Sequence, residues 1–151
     1  MVRFNNNIMV DRPVNSVFQF VADFENMPKW NYYVVQVSKV TPGPIGIGTT
    51  FRQLRKIDTQ QYKIITFEPD RKVAIETLPP APDLRMQFTF EPAGDNTILT
   101  DAWELKGGLL GIFGSLASGQ VKAAVAENLS KLKQLLETGE VRLQDGRVER
   151  I

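Results

Sequence analysis

Several kinds of chemistry are closed to this chain by the side chains it lacks. Its 151 residues contain no histidine and no cysteine. That removes an imidazole base, a thiolate nucleophile, a Ser-His-Asp triad, a Cys-His pair and the soft-ligand zinc sites together. Carboxylates, tyrosines and basic residues remain as proton handlers. Counting by twos puts Gln53 and Arg55 on the face of Phe51, and Leu99, Asp101, Trp103 and Leu105 together, opposite Thr100, Ala102 and Glu104. If the bulky sides face inward, Arg55 and Asp101 point into an interior cavity or its rim. An inward arginine then needs a carboxylate partner or an anionic ligand head. A carboxylate works as a base only if burial raises its pKa, and a paired arginine would lower it, so a structural pair or rim contact is expected before a catalytic base. Tyr62, Tyr32 and Tyr33 offer hydroxyls to a carbonyl guest, with aromatic packing as the alternative. Trp30 reads as a packing anchor and Trp103 as cavity wall or core filler.

Other chemistries find little support. Gly46–Ile47–Gly48 lacks the third glycine of a dinucleotide fingerprint and feeds a strand, not a helix N-terminus. It reads as a turn and a rim. Eighteen Lys and Arg against seventeen Asp and Glu give a net charge of +1, too balanced for a nucleic-acid footprint. The acidic residues have no EF-hand spacing, so neither a metal nor any other cofactor is expected. The opening MVRFNNNIMVDRP has no apolar core of signal-peptide length, and no stretch reaches the ~20 apolar residues of a spanning helix. A cytoplasmic protein is the default expectation.

The elements that would carry these residues can be read from periodicity. Residues 2–11 read as a strand. Pro13 opens a short helix whose stripe is Val14, Val17, Phe18 and Val21, and Asp23 caps a second over Phe24–Lys29. Val34–Val40, Thr49–Ile57, Gln60–Glu68, Arg71–Leu78, Leu84–Glu91 and Thr97–Leu105 read as strands, the first two joined by the Thr41–Gly48 loop. The turns between the later strands are short, which predicts an antiparallel meander. Leu84, Met86, Phe88 and Phe90 alternate with polar residues, so the sheet has one apolar face that needs a cover. The cover is a final helix ending near Glu137, with the stripe Val121–Val125–Leu129–Leu132–Leu136 and Gly139 as its stop. Extended backwards, that stripe meets Ser118, Gly114 and Gly111, so the layers should part there, while Leu109, Ile112, Phe113 and Leu116 fall on the opposite side, read as lid or cavity wall ahead of an irregular connection that completes the core, or an exposed membrane or partner patch. Residues 140–151 hint at a hairpin around Asp145–Gly146, either disordered or docked on the body or on a second copy, which leaves a homodimer open.

The order β-α-α-β6-α resembles the helix-grip fold of the START/Bet v 1-like (SRPBCC) superfamily, in its polyketide cyclase/dehydrase-like branch. Carrying the likeness are Val10–Asp11–Arg12–Pro13, the Val17–Asp23 segment, Met27–Pro28–Lys29–Trp30, Gly46–Ile47–Gly48–Thr49 and the closing Asn128–Glu137 run, over about residues 3–138. The resemblance implies an α+β domain (residues 1–138, with 139–151 as a tail) in which a curved antiparallel sheet wraps the long C-terminal helix around an internal cavity. It also implies an apolar guest: a lipid, a polyketide or a quinone-like molecule. The residues expected to line the site are Phe51, Arg55, Tyr62, Met86, Phe88, Asp101 and Trp103, with Leu109, Ile112, Phe113 and Leu116 above them. The expected function is binding or transport of that guest. The alternatives are a cyclase or dehydratase acting on a polyketide-like substrate, and a protein-interaction module with a filled core.

Overall fold

The computed structural model describes residues 2–106 and 118–151. Strand β1 (Val2–Val10) alternates half-buried and exposed residues, as a strand with one covered face must. Pro13 then sets the entry of helix α1 (Val14–Ala22), which buries Val17, Phe18, Val21 and Ala22. Asp23 ends α1 and caps a 3-10 helix (Phe24–Lys29), its carboxylate accepting from the Glu25 N–H at 3.2 Å. Trp30 closes that helix by donating its backbone N–H to the Met27 carbonyl at 3.1 Å.

Six strands come next: β2 (Val34–Lys39), β3 (Thr50–Arg55), β4 (Thr59–Glu68), β5 (Lys72–Thr77), β6 (Leu84–Ala93) and β7 (Asn96–Leu105). The predicted meander forms, every neighbour being antiparallel, in the order β1-β7-β6-β5-β4-β3-β2. The first strand returns to pair with the last, from Val2 opposite Leu105 to Val10 opposite Thr97. Register shifts at Val34/Gln36 and Ile64/Thr66 add local bend, which suits a sheet that must wrap a helix.

That helix is α2 (Ser118–Thr138). It buries Val121, Val125, Leu129, Leu132 and Leu135. The expected stripe ended on Leu136, which is only half-buried; a 3.6-residue turn allows a step of three or four from Leu132, and the step of three is taken. Its C-terminal end is stapled to the end of β1: Lys133 Nζ donates to the Met9 carbonyl at 2.5 Å, and the Asp11 N–H to Glu137 Oε2 at 2.7 Å. Gly139, at φ +82°, ends the helix in the left-handed region.

The last residues form a hairpin, β8 (Glu140–Arg142) with β9 (Val148–Arg150), docked on the body. Val141 and Leu143 join the main apolar cluster. Arg147 Nη2 donates to the Pro28 carbonyl at 3.1 Å, and Gln144 Nε2 to Asn128 Oδ1 at 3.2 Å. This is the curved sheet, long helix and α+β layering of a helix grip.

Candidate ligand-binding site

Side-chain size decides where sheet and helix meet and where they part. Leu129, Leu132 and Leu135 of α2 are essentially inaccessible. One turn earlier the helix presents Ala124, Val125 and Asn128 instead, and there a crevice opens. The sheet walls it with Gln53 and Arg55 from β3, Gln60 and Tyr62 from β4, Ile75 and Thr77 from β5, Leu84 and Met86 from β6, and Asp101 and Trp103 from β7. Met27, Trp30, Asn31, Tyr33 and Val34 complete it from the 3-10 helix and the start of β2. The cavity is about 60 Å³, within a crevice whose free space, mouth included, is about 740 Å³. The smaller figure holds a few water molecules and is less than the roughly 300 Å³ of an ordinary ligand pocket. A fused-ring guest therefore needs side chains to move, and the two methionines, Met27 and Met86, are the most adaptable of the walls.

Several polar atoms of this crevice lack a partner within the protein. Trp30 Nε1, Gln53 Oε1, Tyr62 OH and Asp101 Oδ1 are buried with no hydrogen-bond partner of ordinary geometry in the protein. Buried polar groups in native proteins are nearly always paired, and each orphan costs about 1–3 kcal/mol. Here four converge on one cavity. Asp101 sits in mid-sheet, opposite Asn6 on one side and Phe88 on the other. Burial pushes its carboxyl up to about 7, against a smaller opposing effect of the Trp103 indole. Burial also holds the Tyr62 hydroxyl far above its ordinary value. Thr77, by contrast, is satisfied, donating to the Pro82 carbonyl at 2.7 Å and accepting from the Leu84 N–H at 2.9 Å.

Arg55 finds the carboxylate partner that an inward arginine needs in Asp58. Its Nε and Nη2 meet Asp58 Oδ1 and Oδ2 at 2.6 and 2.7 Å, a bidentate pair across the β3–β4 turn. Gln60 Nε2 adds a longer contact to Asp58 at 3.4 Å. The guanidinium faces the crevice with its charge already answered. One wall is tied to the C-terminal hairpin by a relay in which Asn31 Oδ1 accepts from Asn128 Nδ2 at 3.3 Å and Asn128 Oδ1 from Gln144.

The structure therefore brings Arg55, Tyr62, Met86, Asp101 and Trp103 together around one space. Phe51 and Phe88 are a correction: both are wholly buried and belong to the packed core, not the crevice wall. They pack with Phe24, whose ring centroid is 5.5 Å from Phe51 and 6.5 Å from Phe88. Alternation gives the face of a strand, not the depth along it at which the helix closes down. Leu109, Ile112, Phe113 and Leu116, with the question of lid or helix at 107–117, lie outside the described residues. The 41–48 loop contributes no wall to the crevice, being held against β4 through the Gly48 N–H to the Ile64 carbonyl at 2.8 Å. Tyr32 turns away, under Lys56 Nζ at 3.9 Å from its ring. Trp30, read as an anchor, is both anchor and wall. It meets the Phe88 ring edge to face while its indole Nε1–H has no partner in the protein. Gln53, which alternation placed on the face of Phe51 and Arg55 but which was not among the expected lining residues, lines the crevice too.

Among the described residues no three potential ligands gather to hold a metal ion, and no helix is long and apolar enough to cross a membrane.

Comparison with solved structures places this architecture among helix-grip proteins. The Aha1 dimer from Colwellia psychrerythraea superposes with a TM-score of 0.72 at 17% identity, over 92% of this chain and 98% of that one. The di-domain ARO/CYC StfQ from the steffimycin biosynthetic pathway gives 0.67 at 20% identity, over 89% of this chain and 44% of that one. A protein from Mesorhizobium loti gives 0.69 at 16%, over 89% and 96%. At these identities the likeness speaks for the fold alone. No match was found among curated protein sequences. The family model described as polyketide cyclase/dehydrase and lipid transport matches residues 1–137, and the chain belongs to that family.

Proposed function

We propose that this protein binds and carries an apolar small molecule, of lipid, polyketide or quinone type, in the crevice between its sheet and α2. Family membership supports a hydrophobic-ligand or cyclase role. The observation that carries the binding reading is the set of four unpartnered polar atoms around one space walled by Ile75, Met86, Val125 and their neighbours. Apolar walls supply affinity and the polar atoms supply orientation. Titration with the neutral fluorophore phenylnaphthylamine tests this. One saturable site is expected, and Ala124→Phe, which fills the crevice from the helix side, should weaken binding at least about tenfold. Saturable binding that Ala124→Phe leaves unchanged would move the site elsewhere.

A second reading is catalytic. A buried carboxyl with its pKa raised to about 7 is suited to proton transfer near neutral pH, so Asp101 is the residue on which a cyclase or dehydratase activity would turn, with Tyr62 beside the same cavity. Turnover of a poly-β-ketone substrate that is lost in Asp101→Asn supports it. Binding without turnover leaves the carrier.

A further inference from the structure

We propose that the crevice selects neutral oxygen-bearing guests, ketones and phenols, over carboxylates of the same shape, and that Asp101 sets this preference. The inference rests on the carrier reading and names the class of guest.

Among the described residues, four titratable groups face the cavity: Tyr33 ahead of β2, Arg55 on β3, Tyr62 on β4 and Asp101 on β7. Those contributed by β5, β6, the 3-10 helix and α2 carry no charge, being residues such as Ile75, Met86, Met27 and Asn128. Both tyrosines are held neutral, Tyr62 by burial and Tyr33 by burial together with the nearby Glu127. The one cation, Arg55, is engaged on two nitrogens by Asp58. An anionic guest would therefore enter a low-dielectric space beside the Asp101 carboxylate, where the described lining cation, Arg55, is already engaged by Asp58.

A neutral oxygen meets the opposite situation. A ketone can accept from the Tyr62 hydroxyl, from the Trp30 N–H or from Asp101 when it is protonated. A phenol can donate to Gln53 Oε1 or to Asp101 when it is ionised. The unpartnered set thus contains both donors and acceptors, and neutral oxygens can satisfy either kind. Sites built to pair a buried polar group reject analogues that cannot pair it by large factors.

Acetylnaphthalene and naphthoate share a ring system and differ in head group, and naphthoate stays ionised throughout the useful pH range. Titrating both into the wild-type chain and into Asp101→Asn at about pH 6 and about pH 8.5 tests the proposal. The ketone should bind at least about tenfold more tightly than the carboxylate at the higher pH, a gap that narrows at the lower pH and in the variant. Naphthoate binding as tightly as the ketone to the wild-type protein at about pH 8.5 would overturn the selection with no variant needed. A gap that Asp101→Asn and pH both leave unchanged would also overturn it, reducing the preference to generic desolvation of an anion. If neither probe binds either protein, the carrier reading fails and the selection with it, an outcome distinct from tight naphthoate binding.

Discussion

At the scale of single residues, Asp101 ties this protein's stability to its site. Asp101 is 2% exposed, and burial raises its carboxyl pKa from 3.8 to about 7, so the folded chain holds that proton more tightly than the unfolded chain does. The protonated carboxyl's stabilisation is therefore complete below about pH 3.8 and is lost as pH rises towards about 7, beyond which this group adds no further slope. Asp101→Asn removes the titration. Urea unfolding should give a variant more stable than wild type at about pH 8, by up to a few kcal/mol, with the difference shrinking on acidification. A variant less stable at alkaline than at acidic pH, relative to wild type, would contradict this. Alternation already pointed Asp101 and Arg55 inward from sequence alone. Their partners were not legible in the same way. Asp58 lies three residues from Arg55 across a turn, and a turn's geometry, not strand periodicity, brings the two within 2.6 Å. Phe51 and Phe88 read as wall for the opposite reason: periodicity saw their face and could not see that Phe24 from the 3-10 helix fills the space before them.

At the scale of elements, the C-terminal hairpin has more to do than its sequence announced. An isolated two-stranded hairpin is marginal in water, which is why residues 140–151 read as either disordered or docked. Docking is what Val141 and Leu143 achieve, at 1% and 2% exposure, and Gln144 extends it through Asn128 to the crevice wall at Asn31. Ending the chain at Gly139 should cost about 3 kcal/mol or more in urea unfolding, from two lost aliphatic burials of about 1.5–3 kcal/mol each. An unchanged midpoint would mean that the hairpin is only laid on the surface. The meander, the capping at Asp23 and the stop at Gly139 could be read from turns and caps, because those signals are local, whereas the return of β1 to pair with β7 could not. The helix stripe was legible to within one residue. Its last step was not, since Leu135 and Leu136 serve a 3.6-residue period almost equally well.

At the scale of the whole molecule, curvature turns an ordinary two-layer domain into a container. The sheet bends around α2, closes on Leu129, Leu132 and Leu135, and parts from the helix at Ala124 and Asn128. The small-residue pattern at Gly111–Ser118 falls on residues 107–118, whose side chains lie outside the described part of the chain. Among the described residues the crevice opens where α2 presents Ala124, Val125 and Asn128 to Gln53, Ile75 and Asp101. A cavity of about 60 Å³ with adaptable methionines then predicts a site that opens as it fills. The most direct test of that account is a two-dimensional NMR titration of the uniformly labelled chain with phenylnaphthylamine. Saturating shifts should appear at Asn31, Tyr62, Met86, Asp101 and Asn128, which surround the crevice from both layers. Shifts confined to the exposed apolar positions Val35, Ile47 and Leu54, with those five resonances unmoved, would put the probe on the surface and contradict an interior site.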